Sequence, residues 1–331
     1  MTPSLPVAPE FWNRDGPTAR LLGPAGYVVR TVGSLRRRLV RRTSFDVPVI
    51  CVGNLVVGGA GKTPVSQSIA QMLAGRGHGV ALLLRGYGGR LRGPVRVAPA
   101  RHSVRDVGDE ALMLSRHAPV WIARNRVEGV RATERAGAGV VVMDDGFQNP
   151  ALRADLNLLV IDGDYGVGNG RVMPAGPLRE PVATGMARAD AVVLITPDRV
   201  AVSDLVPPGL PVLRAAASAV APTELAPGTP VFGFAGIGRP VRFRNSLEAL
   251  GLDVRGFRPF PDHYPYGRED VDRLLATAAE LGAVPVTTAK DHIRLDRVAA
   301  STVACVDLDL DWQDRLALAA LVEGTVSNVV G

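Results

Sequence analysis

Three glycines, Gly58, Gly59 and Gly61, with Ala60 among them, lead straight into Lys62 and Thr63. Glycine lets a loop bend sharply and approach an anion, and Lys-Thr then opens what reads as a helix, with Pro64 suited to its first turn. A phosphate held here would meet unpaired N–H groups, the positive end of a helix dipole, an ammonium and a hydroxyl able to bind Mg²⁺. Asp144 and Asp145, in the run DDGFQ, follow the apolar stretch 140–143 and suit the same chemistry. A Mg²⁺-nucleotide site needs hard carboxylate oxygens held rigidly opposite its glycine loop. Adjacent side chains of an extended chain point to opposite faces, so one of the two aspartates is expected to face the metal.

Three other places carry groups that could react or bind. Asp109 and Glu110 precede the apolar residues 111–115, and from the residues alone Asp109 is either an ordinary helix cap or a reactive carboxylate. Arg179 and Glu180 close GNGRVMPAGPLRE, residues 168–180, which is too rich in Gly and Pro for a core element. It is expected to be a surface loop that brings both side chains to a ligand. His263 lies in FPDHYPY and Lys290 in TTAKD. A lone histidine is commonly a polar core or surface residue, but proline and aromatic neighbours after a strand make His263 a candidate.

These groups require an α/β frame. Apolar runs at 49–52, 80–84, 120–123, 140–143, 156–161 and 191–195 read as buried strands, with helical stretches at 66–73, 111–115 and 126–136 among them. The expected fold is P-loop NTPase-like, a mostly parallel sheet flanked by helices, with ligands at the carboxyl ends of the strands. That domain is placed at 43–200, a proline-rich junction at 201–229, and a second, smaller α/β domain at 230–331. The second domain's strands are expected at 231–235, 254–257, 284–288 and 303–306, with helices near 242–250, 268–281 and 312–322. Gly233, Gly236 and Gly238 have the wrong order for a dinucleotide fingerprint.

The glycine loop departs from G-x-x-x-x-G-K-[ST], because the first glycine should fall at Val56. Lysine usage argues for it nonetheless. Among 38 basic residues only Lys62 and Lys290 are lysine, so a compact point charge is retained inside the loop in a chain that otherwise uses arginine.

The 331 residues, 47% hydrophobic, have room for two cores. Cys51 and Cys305 lie far apart in expected strands, which argues for buried thiols in a reducing compartment and against a disulfide or zinc site. The net charge of +6 favours an anionic partner. Much of it falls at 20–42, where Val28, Val32, Leu35 and Leu39 form a stripe at helical spacing beside Arg30, Arg36, Arg37, Arg38, Arg41 and Arg42. A spanning helix needs about 20 apolar residues. The segment 1–42 is therefore expected to lie on an anionic membrane surface, or else to pack on its own domain, and no cleavage-site pattern of a secreted precursor is present.

Taken in order, GNLVVGGAGKTP, LRGYGG, VGDEALML, DDGFQ, NGRVMPAGPLRE, FPDHYPY and TAKD resemble the tetraacyldisaccharide 4'-kinase family of lipid A synthesis, from about residue 11 to 295. The resemblance implies an enzyme that moves the γ-phosphoryl of ATP to the 4'-hydroxyl of an acylated glucosamine disaccharide 1-phosphate. It places that enzyme, peripheral or monotopic, at the cytoplasmic face of a Gram-negative inner membrane. It further implies that Gly58, Gly59, Ala60, Gly61 and Lys62 hold ATP and that Thr63, Asp144 and Asp145 serve Mg²⁺. Arg179 and Glu180 would line the site, Asp109 would accept the sugar hydroxyl proton, and His263 would be its dyad partner. Where the family often has His after DDGFQ, this chain has Asn149.

Two other readings are weaker. A P-loop switch or chaperone that reads guanine would need N-K-x-D, which neither lysine provides. A nucleic-acid binder would interleave its arginines with stacking aromatics, and this chain does not.

Overall fold

A computed structural model describes residues 9–330, so 1–8 of the expected membrane segment, and Gly331, lie outside the described residues. The chain forms two compact units, 9–216 with 310–330, and 217–309.

In the larger unit, α1 (Pro17–Leu21) and α2 (Gly23–Leu39) precede β1 (Val49–Gly53), α3 (Lys62–Ala74), β2 (Val80–Leu84) and β3 (Val95–Arg96). Then come α4 (Val104–Val107), α5 (Asp109–Leu114), β4 (Val120–Ile122), α6 (Arg126–Arg135), β5 (Val140–Asp144), β6 (Leu156–Asp162), α7 (Val182–Met186), β7 (Ala191–Thr196) and β8 (Val212–Val220). Its strands follow the order β8-β7-β6-β1-β5-β2-β4-β3. All pair in parallel except β3, which runs antiparallel to β4. Every residue of β1, β2 and β5 is buried, Asp144 included, as expected of parallel strands covered on both faces. Because β5 lies between β1 and β2, with Val52 opposite Asp144, the segments that follow these three strands leave the sheet side by side.

Within 201–229, read as a junction, the structure forms β8. Its alanines alternate too weakly in hydrophobicity to announce a strand. Residues 310–330, placed with the second domain on sequence grounds, cluster with the larger unit. There Trp312 Nε1 donates to Ser68 Oγ at 2.8 Å and Arg76 pairs with Glu323 at 2.9 Å.

The loop 168–180 differs from its expected exposed state, since Ala175, Gly176, Pro177 and Leu178 are buried. Helix α2 seats on it at Gly26, where an added Cβ would lie 2.7 Å from the Val172 carbonyl oxygen. That contact fixes which way α2 faces. Tyr27, Val28, Val32, Leu35 and Leu39 are left between 55% and 74% exposed, an apolar stripe turned to solvent. No helix among the described residues is long and apolar enough to cross a membrane.

The smaller unit contains β9 (Pro230–Ala235), α8 (Pro240–Ala249), β10 (Asp253–Pro259), α9 (Arg268–Glu280), β11 (Val284–Thr288), α10 (Ala289–His292) and α11 (Arg297–Thr302). β12 (Ala304–Trp312) then leads back to the larger unit, to which α12 (Arg315–Val330) belongs. The order β10-β9-β11-β12 is all parallel. Residues of β9 alternate between two cores, Val231 and Ala235 with Phe243 and Leu247 of α8, and Phe232 and Phe234 with Val271 and Leu274 of α9.

Candidate active site

The glycine loop runs from the carboxyl end of β1 to the start of α3. Gly58 and Gly59 are exposed at its tip, and Ala60 is buried. Gly61 caps α3 with φ +82°, and a Cβ there would come within 3.1 Å of Ile195 Cγ1, so both backbone and space call for glycine. Val56 is buried and bridged to Leu178, while Val57 N donates to Pro177 O at 2.9 Å. At Val56 the chain is thus extended and paired with the 168–180 loop, which gives a physical reason for the missing glycine.

The aspartates divide their roles by backbone geometry. Asp144 is the last residue of β5 and 3% exposed. Its Oδ2 accepts from Thr63 Oγ1 at 2.9 Å. Asp145 leaves the strand with φ +54° and takes different partners: its Oδ1 lies 3.7 Å from Lys62 Nζ and accepts from Arg179 Nη1 at 2.8 Å. Burial raises the Asp145 carboxyl, but the charges of Lys62 and Arg179 outweigh burial and hold it below its ordinary value. Asp144 behaves oppositely. Burial, then the charge of Glu110, pushes it up to about 7 against the pull of Lys62.

Asp144 Oδ1 is buried and accepts no hydrogen bond. An orphaned carboxylate oxygen beside a threonine hydroxyl is the donor set that suits a hard divalent cation, so these residues fit Mg²⁺. No cluster of three or more His, Cys, Asp or Glu able to hold a metal occurs among the described residues.

The same burial predicts a stability effect. A carboxyl raised from 3.8 to about 7 binds its proton more tightly in the folded state. Its contribution is full below about pH 4 and is lost as pH rises to about 7, above which the native state carries a penalty on the order of 2–4 kcal/mol. Asp144→Asn is expected to raise the Tm of the metal-free protein at pH 8 by roughly 3 °C or more, an advantage that shrinks towards pH 5. Thermal melts across pH check this; a lower Tm for the variant at pH 8 would contradict it.

Arg179 reaches Asp145 because its N–H donates to Leu55 O at 2.7 Å, tying the end of the 168–180 loop to the glycine loop's stem. Its Nη1 also donates to Gln148 Oε1 at 3.1 Å. Glu180 does not extend into open space. It is 1% exposed, and Arg188 donates to both of its oxygens at 2.7 Å. Arg37 of α2 adds a third contact, 3.4 Å from Glu180 Oε2, and the Arg188 guanidinium stacks 4.8 Å from the Phe147 ring centroid. Glu180 therefore braces Gln148 and Arg188 behind the site. Asn149 Oδ1 accepts from Ala151 N at 3.0 Å and closes a local turn.

Asp109 begins α5, is 4% exposed, and accepts from Glu110 N at 2.9 Å. Gly108 precedes it with φ +89°, and a Cβ there would lie 2.2 Å from the Tyr87 carbonyl oxygen. This close approach joins VGDE to the RGYGG segment after β2. Because β2 neighbours β5, the start of α5, held against the segment after β2, lies at the same sheet edge as the acidic pair. A cleft of about 330 Å³ lined by Arg85, Gly86, Tyr87, Gly88 and Arg124 opens at that segment.

His263 belongs to the smaller unit. It follows β10 with φ +60°, its N–H donates to Gly236 O at 3.1 Å, and its ring lies between Lys290 and Arg294, each 3.2 Å away.

Sequence reasoning missed Arg126, Arg188, Gln148 and Arg124. Arg126 is 6% exposed, and burial holds it down at about 10 while the charges of Asp145 and Asp144 push it back up. A signal existed for it: a cation in the first turn of α6, behind the Asn125 cap, opposes the helix dipole and needs a local anion.

The family model for tetraacyldisaccharide-1-P 4'-kinase matches residues 18–326. A tetraacyldisaccharide 4'-kinase of Gluconacetobacter diazotrophicus is 50% identical, over 96% of this chain and 97% of its own. One from Rhodospirillum centenum is also 50% identical with the same coverage. Among solved structures, LpxK from Aquifex aeolicus in complex with ATP superposes with a TM-score of 0.77 at 29% identity, covering 93% of this chain and 99% of that one. With the glycine loop, acidic pair and basic loop converging at one sheet edge, and with these matches spanning nearly its whole length, the chain belongs to the tetraacyldisaccharide-1-P 4'-kinase family.

Proposed function

We propose that this chain transfers the γ-phosphoryl group of ATP to the 4'-hydroxyl of a tetraacylated glucosamine disaccharide 1-phosphate in lipid A biosynthesis. The observation that carries this reading is the convergence of Lys62 on Asp145 at 3.7 Å and of Thr63 on Asp144 at 2.9 Å, which brings the loop and the acidic pair together and supports a shared role at a terminal phosphate. Loop amides from Gly58 to Gly61 and the Lys62 ammonium bind the phosphates, and Arg179 adds charge opposite. Thr63 and Asp144 would hold Mg²⁺, which neutralises charge on the phosphate oxygens when bound. Asp109 accepts the hydroxyl proton as the sugar oxygen bonds to phosphorus and the bond to the ADP oxygen breaks, and the family resemblance alone assigns His263 a role in the same reaction. The guanidinium groups of Arg85 and Arg124 suit an anionic headgroup.

The acceptor's acyl chains keep it in a bilayer, and the exposed stripe of α2 beside its arginines suits the cytoplasmic face of an inner membrane. One assay tests both halves of the proposal, using ATP, Mg²⁺ and the acylated disaccharide, either in anionic vesicles or in detergent micelles. Wild-type protein is expected to phosphorylate the acceptor in both. A Val28→Asp, Val32→Asp, Leu35→Asp variant is expected to keep its micellar rate and lose at least about tenfold on vesicles. No transfer by the wild type in either setting would reject the kinase, and equal vesicle rates would reject the membrane role of α2.

A further inference from the structure

His263 sits between two side chains that compete to define its ring. Arg294 Nη2 lies 3.2 Å from Nδ1, and Lys290 Nζ lies 3.2 Å from Nε2. Both are donor groups, whereas a neutral imidazole has a single accepting nitrogen, so the ring cannot accept from both. Their surroundings decide between them. The Arg294 side chain is 5% exposed, and its Nη1 donates to Asp291 Oδ1 at 2.9 Å and to Gly236 O at 3.0 Å. Asp291 is itself fully buried and accepts from Tyr266 at 3.0 Å and from Thr288 at 2.7 Å. That network fixes the guanidinium from behind. Lys290 is 23% exposed on a flexible stem, and Asp262 Oδ1 lies 3.6 Å from its ammonium and 3.8 Å from Nε2. The Asp262 atom is buried and accepts no hydrogen bond, so it is available to both the ammonium and an N–H at Nε2.

We propose that Arg294 is a positioning residue that holds the neutral His263 ring in its Nε2–H tautomer. The ring then offers a hydrogen-bond donor, not a proton-accepting nitrogen, at the edge shared with Lys290 and Asp262. Its importance for phosphoryl transfer rests on the role proposed for His263; the tautomer does not. In that role His263 orients an acceptor group through Nε2–H, and the proton released by the sugar stays with Asp109.

The chain has five histidines, so the full-length protein labelled with ¹⁵N-histidine gives a readable long-range nitrogen spectrum, in which the signals lost in His263→Gln identify that ring. At about pH 8 the wild type is expected to show a protonated Nε2 and a lone pair on Nδ1. Arg294→Lys keeps a cation for Asp291 but shortens the reach. It is expected to increase the Nδ1–H form severalfold and to lower kcat about tenfold or more, with KM for ATP within about twofold. Lys290→Met is expected to leave the tautomer unchanged. An Nδ1–H ring in the wild type, a folded Arg294→Lys with an unaltered tautomer, or a tautomer switch in Lys290→Met would each overturn the proposal. Wild-type activity in His263→Gln would remove the catalytic role of the ring and leave the assignment of its tautomer standing.

Discussion

Lys62→Ala is expected to lower phosphoryl transfer from ATP by about 10³-fold or more, on the order of 4 kcal/mol of transition-state stabilisation. Little bond-making is required of the protein in this reaction, so charge placed against the moving phosphoryl group accounts for most of the rate. Lys62 is 11% exposed and sits at the first residue of α3, where ammonium and helix dipole would act on the same anion. The variant is expected to fold, because Asp145 keeps Arg179 as a partner. Lys62→Arg is the sharper test. A guanidinium is larger, planar and differently hydrated, and it is expected to recover no more than about a tenth of the activity. Transfer from radiolabelled ATP measures both; a rate within tenfold of wild type for Lys62→Ala would remove this lysine from the phosphate site.

The second large effect is expected at Asp109. Replacing it with asparagine keeps size and polarity in a position that is 4% exposed, so the fold should tolerate the change. Loss of a positioned proton acceptor typically costs about 10²–10⁴-fold. The loss should appear in kcat, with ATP affinity unchanged, because the proposed nucleotide site is the loop after β1 and not α5. If Asp109→Asn turned over at the wild-type rate, Asp109 would be a structural residue of α5 and another group would have to accept the proton. Weakened ATP binding with an unchanged kcat would point to a role on the nucleotide side.

Why some features could be read from sequence and others could not follows from range. The runs 80–84 and 140–143 are apolar throughout because both faces of a parallel sheet are covered, and such runs are visible without tertiary knowledge. Different partners for Asp144 and Asp145 could be expected from the period of an extended chain, whereas the left-handed turn at Asp145 could not. The burial of Ala175 to Leu178 depends on Val56 and on Gly26 of α2, both more than a hundred residues away, so a Gly- and Pro-rich stretch reads as surface. Glu180 shows the same limit. Its type and position suggest a ligand contact, yet its oxygens are taken by Arg188 and Arg37, one nearby and the other remote in the chain. Strand β8 is hidden for a different reason, since alternating alanine carries almost no hydrophobic contrast.

The near absence of lysine has a practical side. Two primary amines on side chains remain in a chain of 331 residues, one beside Asp145 and the other beside His263. Reagents that acylate amines thus report on both halves of the proposed chemistry with almost no background. Protection of Lys62 by nucleotide, read as a mass change on one peptide, would track occupancy of the phosphate loop without any assay of turnover.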